Sequence, residues 1–244
     1  MHLNLLIQRV ALLKKIARSL SEIGFLNTCL YALHHLLSGV HSSLGVERFY
    51  VVMQPVAQKP GIPGKRGKNI RVDRLNREDP ALSTFVRVAE EIQERFDQGA
   101  VCFGAWRQDH LIAWIWLILG SYQDFNFHLR FVPTPAEKTC WDLDIFVEPE
   151  YRLGFAFARL WEEARAYLAR HGVEWSASMI SAFNTASLRS HKRLDSRIVG
   201  SVTILELGRL QCLISPLLRH GVYFSADRAN SPAIRVPIPR STAK

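Results

Sequence analysis

The stretch DLDIFVEPEYRLGFAFARLW, residues 142–161, decides the predicted fold. Its first six residues are typical of a strand, Pro149 and Gly154 form a turn, and a helix follows that stops at Gly172. A helix that starts in this way presents backbone N–H groups without intrahelical partners, which together with the helix dipole attract an anion. Leu153–Ala158 are therefore candidate phosphate-binding groups, with Arg152 as a charged donor. The alternative interpretation is a simple strand-to-helix connection.

A second informative stretch, SAFNTASLRSHKRLDS, spans residues 181–196 after the next predicted strand. Asn184 begins a short helix there, and His191 lies seven residues later. Seven residues are about two helical turns, so both side chains are predicted on one helix face. Taken alone, the pattern also fits a capping asparagine followed by a solvated basic helix.

Composition narrows the class of protein. The chain has 244 residues, of which 48% are apolar, and this length and apolar content favour a globular fold over a disordered one. Its net charge of +9 predicts an acidic partner, such as a phosphorylated cofactor, an acidic carrier protein, nucleic acid or an anionic membrane surface. Nucleic acid is the least favoured of these, because no recognition motif is present.

Targeting patterns are consistent with a cytoplasmic protein. Charged residues interrupt the N-terminal apolar pattern, which excludes a typical signal peptide. The longest apolar run, Leu111–Leu119, is too short to span a bilayer. Peripheral membrane contact through the amphipathic N-terminal helix remains an alternative to packing on the domain.

Periodicity divides the chain into three parts. Residues 1–44 are predicted as a helical extension, residues 45–225 as the main domain and residues 226–244 as a flexible basic tail. Within the domain, residues 79–99 are predicted as one helix capped by Asp79, and residues 100–119 as a hairpin. The final order of strand, helix, strand, helix, strand predicts an α/β (α+β) fold with one sheet covered by helices.

The two stretches together resemble the GNAT superfamily of N-acetyltransferases. The first part of that family's motif, V-x-P-x-Y/F-R followed by a glycine-rich turn, is matched by residues Val147, Pro149, Tyr151, Arg152, Gly154 and Ala156. The second part, N-x-x-A/S-x-x-x-Y-x-K/R, is matched by Asn184, Ser187 and Arg193, with His191 in place of the tyrosine. The resemblance implies a mixed, mostly antiparallel central sheet flanked by helices.

The resemblance also implies a set of site residues for an acyl-CoA. The backbone near Phe146 and Val147 would hold the thioester carbonyl, and Asn184 with Ser187 would contact the pantetheine arm. His191 would protonate the leaving thiolate. The pyrophosphate would lie on backbone N–H groups, which belong to Arg152, Leu153, Gly154, Phe155, Ala156 and Phe157.

A general base is predicted from the strand itself. Asp142 and Asp144 alternate along it and are expected on one face, where either carboxylate could accept a proton from the attacking amine. No metal ligand set is predicted, since the cysteines and histidines lack zinc-site spacing.

The function implied by the resemblance is transfer of an acyl group, most simply acetyl, from acyl-CoA to a primary amine by direct attack in a ternary complex. One alternative is a long-chain N-acyltransferase of the amino-acid or homoserine-lactone type, supplied by acyl-CoA or by an acidic acyl carrier protein. Another is a non-catalytic binding module with the same fold.

Overall fold

The computed structural model of the chain describes residues 2–56, 67–85, 87–127, 129–226, 230 and 232–239, with backbone alone for residues 2–19. The helices are α1 (His2–Val40), α2 (Ala89–Asp97), α3 (Ala156–Arg170) and α4 (Thr185–Lys192). Short 3₁₀ helices occupy Pro80–Thr84, Ala136–Lys138 and Pro149–Tyr151. The strands are β1 (Leu44–Pro55), β2 (Arg71–Leu75), β3 (Val101–Arg107), β4 (His110–Leu119), β5 (Tyr122–Gln123), β6 (Arg130–Thr134), β7 (Thr139–Val147), β8 (Trp175–Ser181), β9 (Arg197–Leu207), β10 (Leu210–Ile214), β11 (Val222–Ser225) and β12 (Ala233–Pro237).

Nine strands form one sheet in the order β11-β10-β9-β1-β8-β7-β4-β3-β2. Neighbours in it are antiparallel except β7 and β8, which run parallel. β1 lies between β8 and β9, so the chain crosses over β1 through α4. The predicted fold class, a mixed and mostly antiparallel sheet flanked by helices with an N-terminal helix, is confirmed.

The two faces of the sheet bury separate cores. On one face, α3 places Leu160, Trp161 and Leu168 against the inward residues of β3 and β4. On the other face, α2 and the small sheet β12-β6-β5 cover a core centred on Trp116 and Trp141. Both tryptophan side chains are almost completely buried, and aromatic groups of this size contribute much of the hydrophobic stabilisation of a core.

The predicted N-terminal helices are both present within α1. Gly24 divides them, since its φ of 80° lies in the left-handed region that glycine adopts without strain. After this break the side chain of Asn27 donates to the hydroxyl of Tyr50 on β1, at 3.0 Å. The second half of α1 therefore packs on the sheet. No helix in the described part of the chain is long and apolar enough to cross a bilayer.

The prediction of one helix over residues 79–99 is wrong in its middle. Asp79 does cap a helix, accepting from the N–H of Ala81 at 3.0 Å, but this 3₁₀ helix ends at Thr84. Phe85 is extended, and its ring stacks on Trp114 with a centroid distance of 4.1 Å. The free energy gained by burying this ring exceeds the free energy of continuing the helix, so α2 begins only at Ala89.

The prediction of a flexible tail over residues 226–244 is wrong for Ala233–Pro237. These residues form β12, which pairs in parallel with β6. Ile234 and Val236 are fully buried, so alternating apolar residues hold this strand against the core. The division into an extension, a domain and a tail otherwise remains a prediction.

A close approach at Gly200 predicts a large effect of one methyl group. A Cβ at this position would lie 2.6 Å from Cγ and Cδ1 of Leu217. We expect Gly200→Ala to lower the free energy of unfolding by about 1–3 kcal/mol in urea titrations, as overpacking does. Gly39→Ala is the control, because a Cβ at Gly39 in α1 has no atom within 4 Å. An unchanged stability of Gly200→Ala would contradict the packing described.

Candidate functional site: a wedge between two parallel strands

β7 and β8 separate soon after they begin. They pair only from Thr139–Trp141 to Trp175–Ala177, although both strands continue. The separation coincides with a β-bulge in β7, where Asp142 faces Leu117 and Asp144 faces Trp116, leaving Leu143 as the extra residue. Between the two strands, with the start of α4 at its edge, lies a cavity of about 260 Å³, which we call the wedge.

Backbone groups of β7 point into the wedge. The N–H of Glu148 donates to the carbonyl of Ile112 on β4 at 2.9 Å. Because successive residues of a strand alternate in direction, Ile145 and Val147 direct their backbone groups away from β4. The carbonyl of Val147 accepts from Arg152 Nε at 3.0 Å. Of these two residues, Ile145 lines the wedge and Val147 does not.

Phe146 lies elsewhere. Its ring stacks on Trp114, with centroids 4.2 Å apart, and it lines a second and larger cavity. It is not among the residues that line the wedge. The reason is strand alternation, which turns the side chain and the backbone groups of Phe146 away from those of its neighbours.

The expectation that Asp142 and Asp144 share one face is wrong. Residues paired directly across strands have side chains on the same face, and Asp142 pairs with Leu117 whereas Asp144 pairs with Trp116. Leu117 and Trp116 belong to the cores on opposite faces. The bulge therefore places the two carboxylates on opposite sides of the sheet.

Asp142 is a buried hydrogen-bond acceptor that links three strands. Its Oδ2 accepts from Ser176 Oγ at 2.5 Å and from Gln54 Nε2 at 3.3 Å, and Oδ1 accepts from the hydroxyl of Ser178. The residue is 5% exposed, and a buried carboxylate is tolerated only when such donors replace water. With three donors already bound, Asp142 is poorly arranged to be the general base.

His191 is connected to Asp142 through Ser178. Its Nδ1 lies 2.9 Å from the carbonyl of Ser187, and its Nε2 lies 3.2 Å from Ser178 Oγ. A carbonyl only accepts, so Nδ1 carries a proton. Burial disfavours the imidazolium, but the hydrogen bond and charge of Asp142 and the bond to Ser187 outweigh it, and the pKa of His191 is raised. The geometry therefore keeps a proton on Nδ1, and the raised pKa favours the imidazolium relative to a free histidine.

Asp144 lies in a network of charges on the other face. Its Oδ2 is 3.1 Å from Arg87 Nε and 3.5 Å from Arg95 Nη1. Arg95 also pairs with Glu91 at 2.6 Å, and both are buried. Burial opposes the charge on Arg87, but the hydrogen bond and charge of Asp144 raise its pKa. Within the described residues, no hydrogen bond to Oδ1 of Asp144 is found, and this oxygen is available to a ligand.

The start of α3 retains part of the predicted anion site. The N–H groups of Arg152 and Gly154 are engaged, with the carbonyls of Pro149 and Tyr151. Those of Ala156, Phe157 and Ala158 have no acceptor in the described part of the chain, as expected for the first turn of a helix. The side chain of Leu153 is fully exposed, and that of Phe155 is 41% exposed. Ala156 itself is fully buried, and of these three residues Phe157 and Ala158 are partly exposed.

Asn184 and Ser187 both line the wedge, as His191 does. Asn184 caps α4, accepting from the N–H of Ser187 at 3.0 Å through Oδ1. Its side-chain amide donors remain for a ligand in the wedge. The predicted shared face of Asn184 and His191 is present.

Several residues at the wedge were not predicted. Ser176 and Ser178 are polar residues two positions apart in a buried strand, a pattern that signals a shared polar face. Arg87, which precedes α2, and Arg95, within α2, carry no comparable signal, because they reach Asp144 only through the tertiary fold. No group of three or more possible metal ligands is found among the described residues.

Comparisons with known proteins give structural matches alone. No family model and no curated protein sequence matches the chain. Solved structures that match include an aminoglycoside acetyltransferase from an uncultured soil metagenomic sample, at 10% identity over 52% of this chain and 88% of that chain, with a TM-score of 0.37. A putative GNAT-family acetyltransferase from Novosphingobium aromaticivorans matches at 17% identity over 66% of this chain and 63% of that chain, with a TM-score of 0.45.

A third match is the aminoglycoside N-acetyltransferase AAC(6')-Iy in complex with CoA, at 16% identity over 55% of this chain and 90% of that chain, with a TM-score of 0.39. Acetyltransferases of the kind that the two motifs resemble are thus among the matched structures. At these TM-scores and identities the matches assign no activity, and the topology described above defines the fold.

The buried chain from His191 to Asp142 predicts a pH-dependent stability. The pKa of His191 is raised in the folded state, so protonation of His191 stabilises the fold. This stabilisation is complete when the pH is below the ordinary histidine pKa of about 6.5, and it is lost as the pH rises through the folded-state pKa. We expect the free energy of unfolding to fall over this window more in the wild type than in His191→Gln, measured by urea titration. His220→Gln, a change at an exposed histidine, should keep the wild-type slope. If the free energy of unfolding changed equally with pH in the wild type and in His191→Gln, the raised pKa assigned to His191 would be wrong.

Proposed function

We propose that the chain is an N-acyltransferase that moves an acyl group, most simply acetyl, from acyl-CoA to a primary amine. The observation that carries the proposal is the wedge itself. One of its walls is a strand with backbone groups that have no partner in the described part of the chain, and that strand leads into a helix start whose first N–H groups also lack one there. This combination suits an extended ligand that contains a diphosphate.

The donor would lie along β7. The N–H groups of Phe157 and Ala158 would hold the pyrophosphate, and the amide of Asn184 would contact the pantetheine arm. The backbone of Ile145 or Val147 would hydrogen-bond the thioester carbonyl, which stabilises the charge that develops there during attack. Arg152 would act indirectly, because its Nε bond to the Val147 carbonyl fixes the turn between strand and helix.

The leaving sulfur requires a proton. Ser178 lines the wedge and lies between Asp142 and His191. In the imidazolium form of His191, Nε2–H donates to Ser178 Oγ, and Ser178 O–H donates to Asp142. We propose that the Ser178 hydroxyl turns from Asp142 toward the sulfur and passes its proton to it, while Oγ takes the Nε2 proton of His191 and the imidazole becomes neutral. Proton supply of this kind contributes about 10²–10⁴-fold to a rate.

The amine would approach from the face of Asp144. Oδ1 of this carboxylate faces no described donor, and Arg87 with Arg95 holds Oδ2 in place. Asp144 can therefore accept a hydrogen bond from the attacking nitrogen, orient it and take up the proton that the nitrogen loses as the amide forms.

A pair of serine variants tests the proposed proton path. Ser176→Ala and Ser178→Ala each remove one hydroxyl donor to Asp142, but Ser178 alone of the two lines the wedge. We expect Ser178→Ala to lower kcat at least about tenfold, with little change in the KM for acetyl-CoA, and Ser176→Ala to keep most of the turnover. If both variants lowered kcat equally, the cause would be the lost hydrogen bond to the buried Asp142 carboxylate, and Ser178 would have no role in the reaction.

A backbone variant tests the proposed diphosphate site. Ala158→Pro removes one N–H in the first turn of α3, where proline is tolerated, and Ala158→Ser retains it. We expect Ala158→Pro to weaken acetyl-CoA binding about tenfold in calorimetry, and to leave turnover of the truncated donor S-acetyl-N-acetylcysteamine unchanged. An equal loss with both donors would contradict the site.

Ligand-induced stabilisation tests the function as a whole. Acetyl-CoA and octanoyl-CoA at concentrations well above Kd should raise the melting temperature, because they bind the folded chain alone. Octanoyl-CoA is included because stronger stabilisation by it than by acetyl-CoA would favour the long-chain alternative. An absence of stabilisation by either donor, together with no release of CoA in the presence of amines, would refute the proposal.

A further inference from the structure

The second cavity lies at the end of β7 beyond the wedge. Its volume is about 640 Å³, and we call it the cleft. It is enclosed by the tip of the β3–β4 hairpin, the 3₁₀ helix Pro80–Thr84 and the last residues of β7. The residues that matter for its chemistry are Asp79, Trp106, Asp109, His110, Trp114, Phe146 and Glu148.

Acidic groups surround the cleft in a basic chain. Asp79, Asp109 and Glu148 line it, and none of the described residues that line it is lysine or arginine, although the chain carries a net charge of +9. Oδ1 of Asp79 is used as a helix cap, and Glu148 lies 2.9 Å from Nε2 of His110. For Asp109, at the exposed hairpin tip, no counter-ion is found among the described residues. The charge of the cleft is therefore complementary to a cation.

The floor of the cleft is aromatic. Trp114 is stacked between Phe85 and Phe146, at centroid distances of 4.1 and 4.2 Å. The guanidinium of Arg71 lies 5.5 Å from the ring centroid of Trp106, so a cation already occupies one aromatic face here. The indole N–H groups of Trp106 and Trp114 are buried without an acceptor in the described part of the chain. The same is true of Trp116, Trp141 and Trp161 in the cores, so what Trp114 contributes to the cleft is its ring.

The cleft and the wedge meet along β7. The bulge at Leu143 turns Asp144 onto the face that carries Phe146. Residues two positions apart in a strand are about 7 Å apart. A ligand in the cleft therefore extends toward Asp144, where the proposed function places the reacting amine.

From these observations we infer that the cleft binds a second, non-reacting ammonium group of the acceptor, carried on an aliphatic chain as in a diamine or polyamine. The inference rests on the proposed function. The carboxylates of Asp109 and Glu148 bind the ammonium, and the rings of Trp106 and Phe146 contact the methylene groups. The other amine then reaches Asp144 at the wedge.

Two amines that differ by one charge test the inference. Cadaverine has an ammonium at each end, whereas pentylamine has the same carbon chain with one. Calorimetry without an acyl donor should show cadaverine binding about tenfold more tightly. The preference should fall several-fold in Glu148→Gln and in Asp109→Asn, and disappear in the double variant. Glu150→Gln, which changes an exposed carboxylate outside the cleft lining, should keep it.

The outcomes separate this inference from the function on which it rests. Carboxylate-dependent binding of cadaverine without any acyl transfer would support the cleft and contradict the acyltransferase. Acylation of pentylamine and cadaverine with equal kcat/KM would support the acyltransferase and overturn the cleft. Equal affinities for the two amines, no binding of either, or a preference that survives the double variant would also overturn the inference. Melting temperatures near that of the wild type would show that both isosteric variants fold.

Discussion

The arrangement at the wedge depends on the hydrogen bonds that Asp142 makes where β7 and β8 part. A buried carboxylate is costly unless donors replace its hydration, and here Ser176 and Ser178 of β8 and Gln54 of β1 supply them. These bonds hold the strands together at the last point of pairing. Beyond that point the bulge at Leu143 directs β7 away, and a cavity opens without loss of the sheet on either side.

The same bulge divides the chemistry between the two faces of the sheet. On the face of α3, Asp142, Ser178 and His191 form one buried polar chain. On the opposite face, Asp144 binds Arg87 and Arg95, and the aromatic floor of the cleft begins two residues later at Phe146. One extra residue in one strand therefore separates the side that carries His191 from the side that carries Asp144. In the proposed function, these are the donor side and the acceptor side.

Local patterns were sufficient for much of the fold and for part of the site. Strand and helix periodicity predicted β7, α3, β8 and α4, and Asp79 and Asn184 cap helices as their residue types predict. The helix break at Phe85 was not predictable from propensity, because it depends on stacking with Trp114 on a distant strand. The strand β12 was missed for a similar reason, since a short Pro-rich segment becomes a strand only when β6 is beside it.

The sequence by itself determined the strand–turn–helix order around residues 142–161 and the shared face of Asn184 and His191. These depend on backbone periodicity and on hydrogen bonds between near neighbours in the chain. Only the tertiary structure decided that Asp142 and Asp144 lie on opposite faces, that Phe146 lines the cleft and that Ser178 connects His191 to Asp142. The physical reason is that a bulge and the separation of two strands are set by pairing with β4 and β8. Those partner strands are distant in sequence, so the residues of β7 alone do not predict the pairing.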